Sequence, residues 1–444
     1  MRMSLSTGAL TLLLLSNVLR LAHATQVNAT PPQSPCTVTF HPGEAIEPAL
    51  KNAKPGSVVC IMPGTYHERL WIGESGTEDK PIVIMGIGGR PVIDGAYQLP
   101  PENTKDFSPG KLGCPGTIVV PKTSSELEGG QFFCTGYASL VGIAGSNIVL
   151  ENIEVTKSTG QGVSAGSPTG LSNVVIRNVY VHSVRQNGID LHNVSHVKID
   201  HNEVSDSGNF APFHRPGAAL EWGAGVSGFG VHFGEFTSNV IHNNWGDALL
   251  VDTNTGKSSD ISISGNIFYD NYSSNGVYAH AVKNVSIQNN LFYCSAGVEM
   301  SHWSSTLIAP AEAGYSEDIN TSNIVVSNNI YANCPNAGIV LWNTKHSARS
   351  ISNVSIVNNT FYREPDPISV PGGKLSDFKG LTMGQHLMVD DRSATSLLGG
   401  GKNLTEPNSF APGAVKTDWF KIKSYKGQGA DTRGLGNIGL FNVP

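Results

Sequence analysis

One short phrase recurs through most of this 444-residue chain: NIVLENIEV, NVVIRNVYV, HVKIDHNEV, FTSNVIHNN, DISISGNIFY, NVSIQNNLFY, NIVVSNNIYA and NVSIVNNTFY. Its aligned asparagines, Asn152, Asn178, Asn202, Asn239, Asn266, Asn290, Asn329 and Asn359, lie 26, 24, 37, 27, 24, 39 and 30 residues apart. A period in the twenties predicts a solenoid, with the longer spacings marking loop insertions. Leucine-rich repeats share that period, but their Leu framework and helical half are absent here. Each unit instead holds short β-branched runs with alternating apolar positions, separated by Asn and Gly, which is the pattern of strands. Three short strands per turn, stacked coil on coil, make a parallel β-helix. Asparagine suits its sharp bends because it tolerates the left-handed conformation. Stacked above its neighbours, its amide can also hydrogen-bond along the ladder.

Composition agrees with an all-β reading. Charged residues are only 14% of the chain and glycines number 50, which suits many tight turns. The formal charge of −6 leaves no basic face for nucleic acid, which needs clustered Lys and Arg. The first 24 residues read as a secretory leader: Arg2, an apolar ALTLLLL core, and the small-x-small site Ala22–Ala24. Its apolar run is shorter than the roughly 20 residues a membrane span needs. Removing Arg2 and Arg20 with it takes the mature charge from −6 to −8. No later stretch is long and apolar enough to span, so a secreted, extracellular and monomeric protein is expected.

The cysteines are even in number: Cys36, Cys60, Cys114, Cys134, Cys294 and Cys334. In a secreted chain they imply disulfides, and the pairing nearest in sequence joins them in that order. It is one of 15 possible pairings. N-x-S/T sequons begin at Asn28, Asn193, Asn271, Asn284, Asn320, Asn353, Asn358 and Asn403. They would accept glycans in a eukaryotic host.

The expected organisation is a leader over 1–24, a linker over 25–35, a solenoid over 36–370 and a C-terminal cap over 371–444. Insertions are placed near 96–135, 209–228 and 302–319. Residues 44–53, EAIEPALKNA, predict a helix that would cover the open N-terminal end, with Pro48 in its first turn.

The segment from AIEPALKNAKPGSVVCIMPGTYHERLWI to KPIVIMGIGGRPVIDG resembles the opening of right-handed parallel β-helix carbohydrate enzymes, the pectate-lyase-like superfamily. The asparagine phrases resemble that family's stacks, and the likeness covers roughly residues 36–365. It implies a right-handed coil. It leaves the activity open, since lyases, hydrolases, epimerases and non-catalytic proteins share the fold. The DPHD motif of mannuronan epimerases is absent. So is the N-T-D, D-D, G-H-G and R-I-K set of polygalacturonases, and the calcium and arginine pattern of pectate lyases is not evident.

The resemblance puts the asparagine turn between the second and third sheets and the following Gly-Φ-x-Φ-x run (Φ apolar) on the first sheet, the usual substrate face. Successive copies read GVSAG, GIDLH, GVHFG, ALLVD, GVYAH, GVEMS and GIVLW. Alternation turns the x residues outward. One outward column is then Ser164, Asp190, His232, Leu250, Tyr278, Glu299 and Val340. The other is Gly166, His192, Gly234, Asp252, His280, Ser301 and Trp342. Coils about 4.8 Å apart make neighbours of Asp252 and His280, of Tyr278 and Glu299, and of His232 and Asp190. The His232 rung assumes that 230–233 is the strand; use of 225–227 instead would change it. The long loops add Arg215, Trp222, His302 and Trp303, which with Trp342 form a candidate sugar-binding set.

Proton transfer through His192, His232, Tyr278 and His280 favours a polysaccharide lyase acting on a uronic-acid-containing glycan by β-elimination. Paired carboxyls such as Asp252 and Glu299 would instead support a glycoside hydrolase. A non-catalytic glycan-binding or surface structural protein would keep the solenoid and its tryptophans without paired acid and imidazole. No cofactor is required by any motif. Calcium is compatible with the outward carboxylates.

Overall fold

The computed structural model describes residues 36–100, 138–208, 223–253, 257–272, 275–295, 304–310, 320–334, 336–342, 350–371, 373–384, 386–389 and 404–406. The leader, the linker, Cys114, Cys134, Asn28 and Asn403 lie outside them.

A representative coil begins on a first face at 189–192, bends through 193–196 and continues on a second face at 197–200. It turns at His201 and Asn202 and returns along a third face, Glu203–Ser207. Strands such as Ile189–Asp200 and Val226–Thr237 run through the first bend, so the first two faces merge into one 19-stranded sheet. The third face is a separate 12-stranded sheet. Neighbouring coils pair in parallel throughout the described residues, as in Ile189↔Val226↔Leu249↔Val277. The chain is therefore a parallel β-helix.

Inward positions alternate with outward ones, as the pleat requires. Val, Ile and Leu fill the interior from the first two faces. The third face contributes a file of rings, Phe268, Phe292, Tyr331 and Phe361, with successive centroids 4.9, 4.8 and 5.1 Å apart. The ring spacing matches the coil repeat of about 4.8 Å.

The aligned asparagines divide between two adjacent positions. Asn202, Asn239, Asn266, Asn290, Asn329 and Asn359 are buried, and each side-chain amide donates to the next side-chain carbonyl at 2.9–3.1 Å. Asn152 and Asn178 sit one residue earlier, at the left-handed corner, where later coils place His201, Ser238, Gly265, Asn289, Asn328 and Asn358. Ile153 and Val179 take the inner position in those coils, which the shared-asparagine alignment misregisters by one residue. At the first bend a second left-handed column holds Asn147, Asn173, Asp260, Asn284, Asn323 and Asn353, interrupted by His196 and Phe233. Side-chain bonds link Asn173 to Asn147, Asn284 to Asp260, Asn323 to Asn284 and Asn353 to Asn323.

The N-terminal helix is one turn, Glu47–Leu50, shorter than the 44–53 expected. The Glu68 carboxylate accepts the backbone N–H groups of Ile46 and Glu47 at 3.0–3.1 Å, and Ile46 and Leu50 enter the core. At the other end, pairing runs past 370 through Thr382–Gly384, Leu387–Val389 and Leu404–Glu406. There the buried His386 extends the inner ladder, accepting the Asn359 N–H at Nδ1.

Cys36–Cys60 and Cys294–Cys334 form disulfides between adjacent coils, with Cα separations of 5.7 and 4.9 Å. The sequon residue Asn271 is buried and both ends of its amide are bonded to the interior, which leaves no room for a glycan there. No described helix is long and apolar enough to cross a membrane.

Candidate functional site

The outward positions of the first face form two columns. One runs Ser164, Asp190, Ser227, Leu250, Tyr278, Leu307 and Val340. The other runs Gly166, His192, Phe229 and Asp252, with His280 one coil beyond Asp252. Asp190, His192, Asp252, Tyr278 and His280 thus all lie on the face where alternation predicts them.

His232 does not. Val226 pairs with Ile189, so 226–229 forms the first face and His232 falls in the bend opposite Ser195 and Ser259. The glycine entering the strand sets this register. A Cβ on Gly225 would stand 2.5 Å from Ile241 of the third face, and Gly188 is crowded by Val204 in the same way. Gly225 meets that demand, while Gly230 sits in the bend with φ +70°. His232 instead bonds Ser259 through Nδ1 at 3.1 Å.

The rung expected for the GVEM copy is held by another segment. The strand opposite Tyr278 is Ser304–Ala309, inside the insertion expected at 302–319, and Leu307 occupies the rung assigned to Glu299. Glu299, His302 and Trp303 lie outside the described residues, as do Arg215 and Trp222. Trp342 is described. It donates its backbone N–H to Ile308 and packs with Tyr278 against the apolar cluster of Leu307, Ala337 and Val340.

Asp190 is fully buried and saturated. Its Oδ2 accepts from Gln161 Nε2 and from His192 Nε2, each at 2.6 Å. Its Oδ1 accepts from Asn187 Nδ2 at 3.0 Å and from the Ser227 hydroxyl. Burial alone would raise its pKa. The attraction of His192 and the donated hydrogen bonds outweigh it and hold the carboxyl below the ordinary range. The His192 ring in turn stacks on Phe229, centroids 5.1 Å apart.

Asp252 and His280 make the second pair. His280 Nδ1 lies 2.9 Å from Asp252 Oδ1, and both side chains are nearly buried. A carboxylate can only accept, so Nδ1 carries the proton of this bond, and the other ring nitrogen, Nε2, is buried. Tyr278, two residues before His280 on the same strand, brings its ring to 5.0 Å from the imidazole. An imidazole, a carboxylate and a phenol therefore share one corner of the face, beside the patch that holds Trp342. No group of three or more His, Cys, Asp or Glu side chains among the described residues is arranged to hold a metal ion.

Gln161, Asn187, Ser227 and Phe229 were missed because they are not titratable. A usable signal precedes the strands: Gln161, Asn187, Asp247, Asn275 and Ser304 each stand immediately before a small residue that opens the first-face run. They form a polar seam, in which Asp247 accepts from Asn275 and Asn275 accepts from Ser304, both at 2.9 Å.

Residues 139–312 match the family model described as the right handed beta helix region. Among solved structures, the chain is similar to the family 28 exopolygalacturonase of Yersinia enterocolitica, at 14% identity and a TM-score of 0.52 over 84% of this chain and 78% of that one. It is similar to the A-module of mannuronan C-5 epimerase AlgE6 of Azotobacter vinelandii, at 14% identity and a TM-score of 0.50 over 83% and 94%. XylC in complex with xylose gives 11% identity and a TM-score of 0.50 over 84% and 87%. No curated protein matches by sequence. At these identities the shared property is the fold, a right-handed parallel β-helix.

Proposed function

We propose that this chain is a secreted polysaccharide lyase that cleaves a uronic-acid-containing glycan by β-elimination. The observation that carries the reading is the Asp252–His280–Tyr278 cluster on the outward first face. β-Elimination needs a base for the ring proton beside the carboxylate and an acid for the leaving oxygen. In this reading the His280 imidazole takes the proton, the C–H electron pair becomes the ring double bond, and the glycosidic C–O bond breaks. The leaving oxygen receives a proton from Tyr278, while Asp252 orients His280 and stabilises the imidazolium. The uronate carboxylate needs a cation. Arg185, in the turn leading into Ile189–Asp200, stands three coils from His280, about 14 Å, so it could serve only a neighbouring sugar of the chain.

An exopolygalacturonase and a mannuronan C-5 epimerase carry their activities on this fold, which makes polyuronates the substrates to test first. Hydrolysis through Asp252 and Glu299 is not addressed by the described residues, which leave Glu299 out, and hydrolysis through Asp190 and Asp252 has less support. Asp190 and Asp252 lie two coils apart, roughly 10 Å, and Asp190 is held ionised by its donors. It is therefore a poor general acid.

The test follows ultraviolet absorbance of an unsaturated product together with reducing ends, on a panel of uronate-containing and neutral polysaccharides, with and without chelator. Both signals rising identifies a lyase, reducing ends alone a hydrolase. Neither rising on the whole panel refutes both. Loss of activity in the chelator arm alone would add calcium to the site.

A further inference from the structure

The bend column described above contains an anomaly. Of the nine left-handed positions in this column from Asn147 to Gly380, Asn or Asp fills six, glycine fills the last, and His196 and Phe233 fill the other two, with φ +52° in both. Asn and Asp ease that conformation through local hydrogen bonds. A bulky aromatic there is a conformational outlier. Phe233 gains little burial in exchange. It is 52% exposed and is the one exposed large apolar side chain among the described residues. Its ring stacks on His196, centroids 4.9 Å apart.

These two coils are the ones that place His192 and Phe229 on the first face, stacked in the same manner. Four rings thus run from the face to its border. The surroundings of Phe233 are polar: Ser259 bonds both His232 and Asp260 beside it. One open aromatic ring in a polar rim fits a sugar, whose ring offers an apolar C–H face and a hydroxylated edge. It fits a protein partner poorly, since protein interfaces centre on a larger apolar patch.

We propose that Phe233, backed by His196, is a stacking platform for a pyranose ring at the margin of the first face. The proposal rests on the glycan reading above and extends it to a second place on the chain. It also accounts for aromatic rings at a backbone position that the other coils fill with Asn, Asp or Gly.

The test uses the full chain and three variants, Phe233→Asn, Phe233→Tyr and His196→Asn. Binding to polygalacturonate, alginate and xylan is measured by calorimetry, alongside thermal melting. Phe233→Asn restores the residue the column favours, so its melting temperature should be unchanged or higher. Its affinity should fall about five- to tenfold, with Phe233→Tyr within about twofold of the parent and His196→Asn intermediate. With a turned-over substrate, the loss should fall on KM and leave kcat in place. Equal affinity of Phe233→Asn and the parent overturns the proposal. So does a drop in melting temperature that accompanies weaker binding, since Phe233 would then be a packing residue. A parent protein that binds none of the three polymers sinks the glycan reading itself, and this proposal with it.

Discussion

Two aspartate–histidine pairs share the first face and are built to opposite ends. Asp190 receives four donors from three coils and is buried completely. Asp252 meets His280 across one coil boundary, with Tyr278 beside the imidazole. The first arrangement ties coils together through a carboxylate that accepts four hydrogen bonds. The second positions an imidazole. The two pairs share residue types and differ in burial and in which coils supply their partners.

Substitution should break this symmetry. His280→Ala should lower kcat by about 10²- to 10⁴-fold, the range for losing a general base, while the melting temperature stays within a few degrees. Asp252→Asn should act in the same direction and less strongly, because it removes orientation rather than the base. Unchanged turnover in both variants would remove the site from this corner. Asp190→Ala should do the reverse. It strands four buried donors and should cost about 3–5 kcal/mol of stability, read as an earlier denaturant midpoint. A stable Asp190→Ala protein without activity would assign that cluster to chemistry instead.

The inner ladder sharpens the contrast at two further sites. Burial pushes the His386 pKa down to about 4, below its ordinary 6.5. A folded pKa below the unfolded one means that its contribution is present above pH 6.5 and lost as pH falls through 4. Acid should therefore weaken the C-terminal coils by about 3 kcal/mol, seen as earlier hydrogen exchange in Thr360–Tyr362. His386→Asn should flatten that dependence. Asn266→Ala, mid-ladder, should cost about 2 kcal/mol at every pH, which distinguishes a lost amide from a titrating ring.

The architecture was largely legible because its signal repeats. Eight phrases in a row reveal a coil even when two are aligned one residue out, as Asn152 and Asn178 are. That slip has a physical cause: Asn suits both the left-handed corner and the inner ladder beside it. The face was legible where alternation was unambiguous, at Asp190, His192, Asp252, Tyr278 and His280. It failed where a coil offered two similar runs. GVSGF and GVHFG both read as first-face strands, and packing of Gly225 against Ile241 decides between them. GVEM looked like a slat, and the pairing of Tyr278 with Leu307 selects SSTLIA. Neither packing against another face nor the pairing of Tyr278 with Leu307, 29 residues on, is visible in local alternation.

The file of rings from Phe268 to Phe361 has a consequence for substrate register. Because the rings repeat at the coil spacing, the molecule grows only in whole steps, and every group on the first face stands an integral number of steps from every other. The face is a graduated scale. A polymer lying along it and sliding by one division would exchange one set of partners for the next. Excision of a complete coil between Asp190 and Asp252 would shorten that scale by one mark while preserving the kind of contact made at each surviving mark.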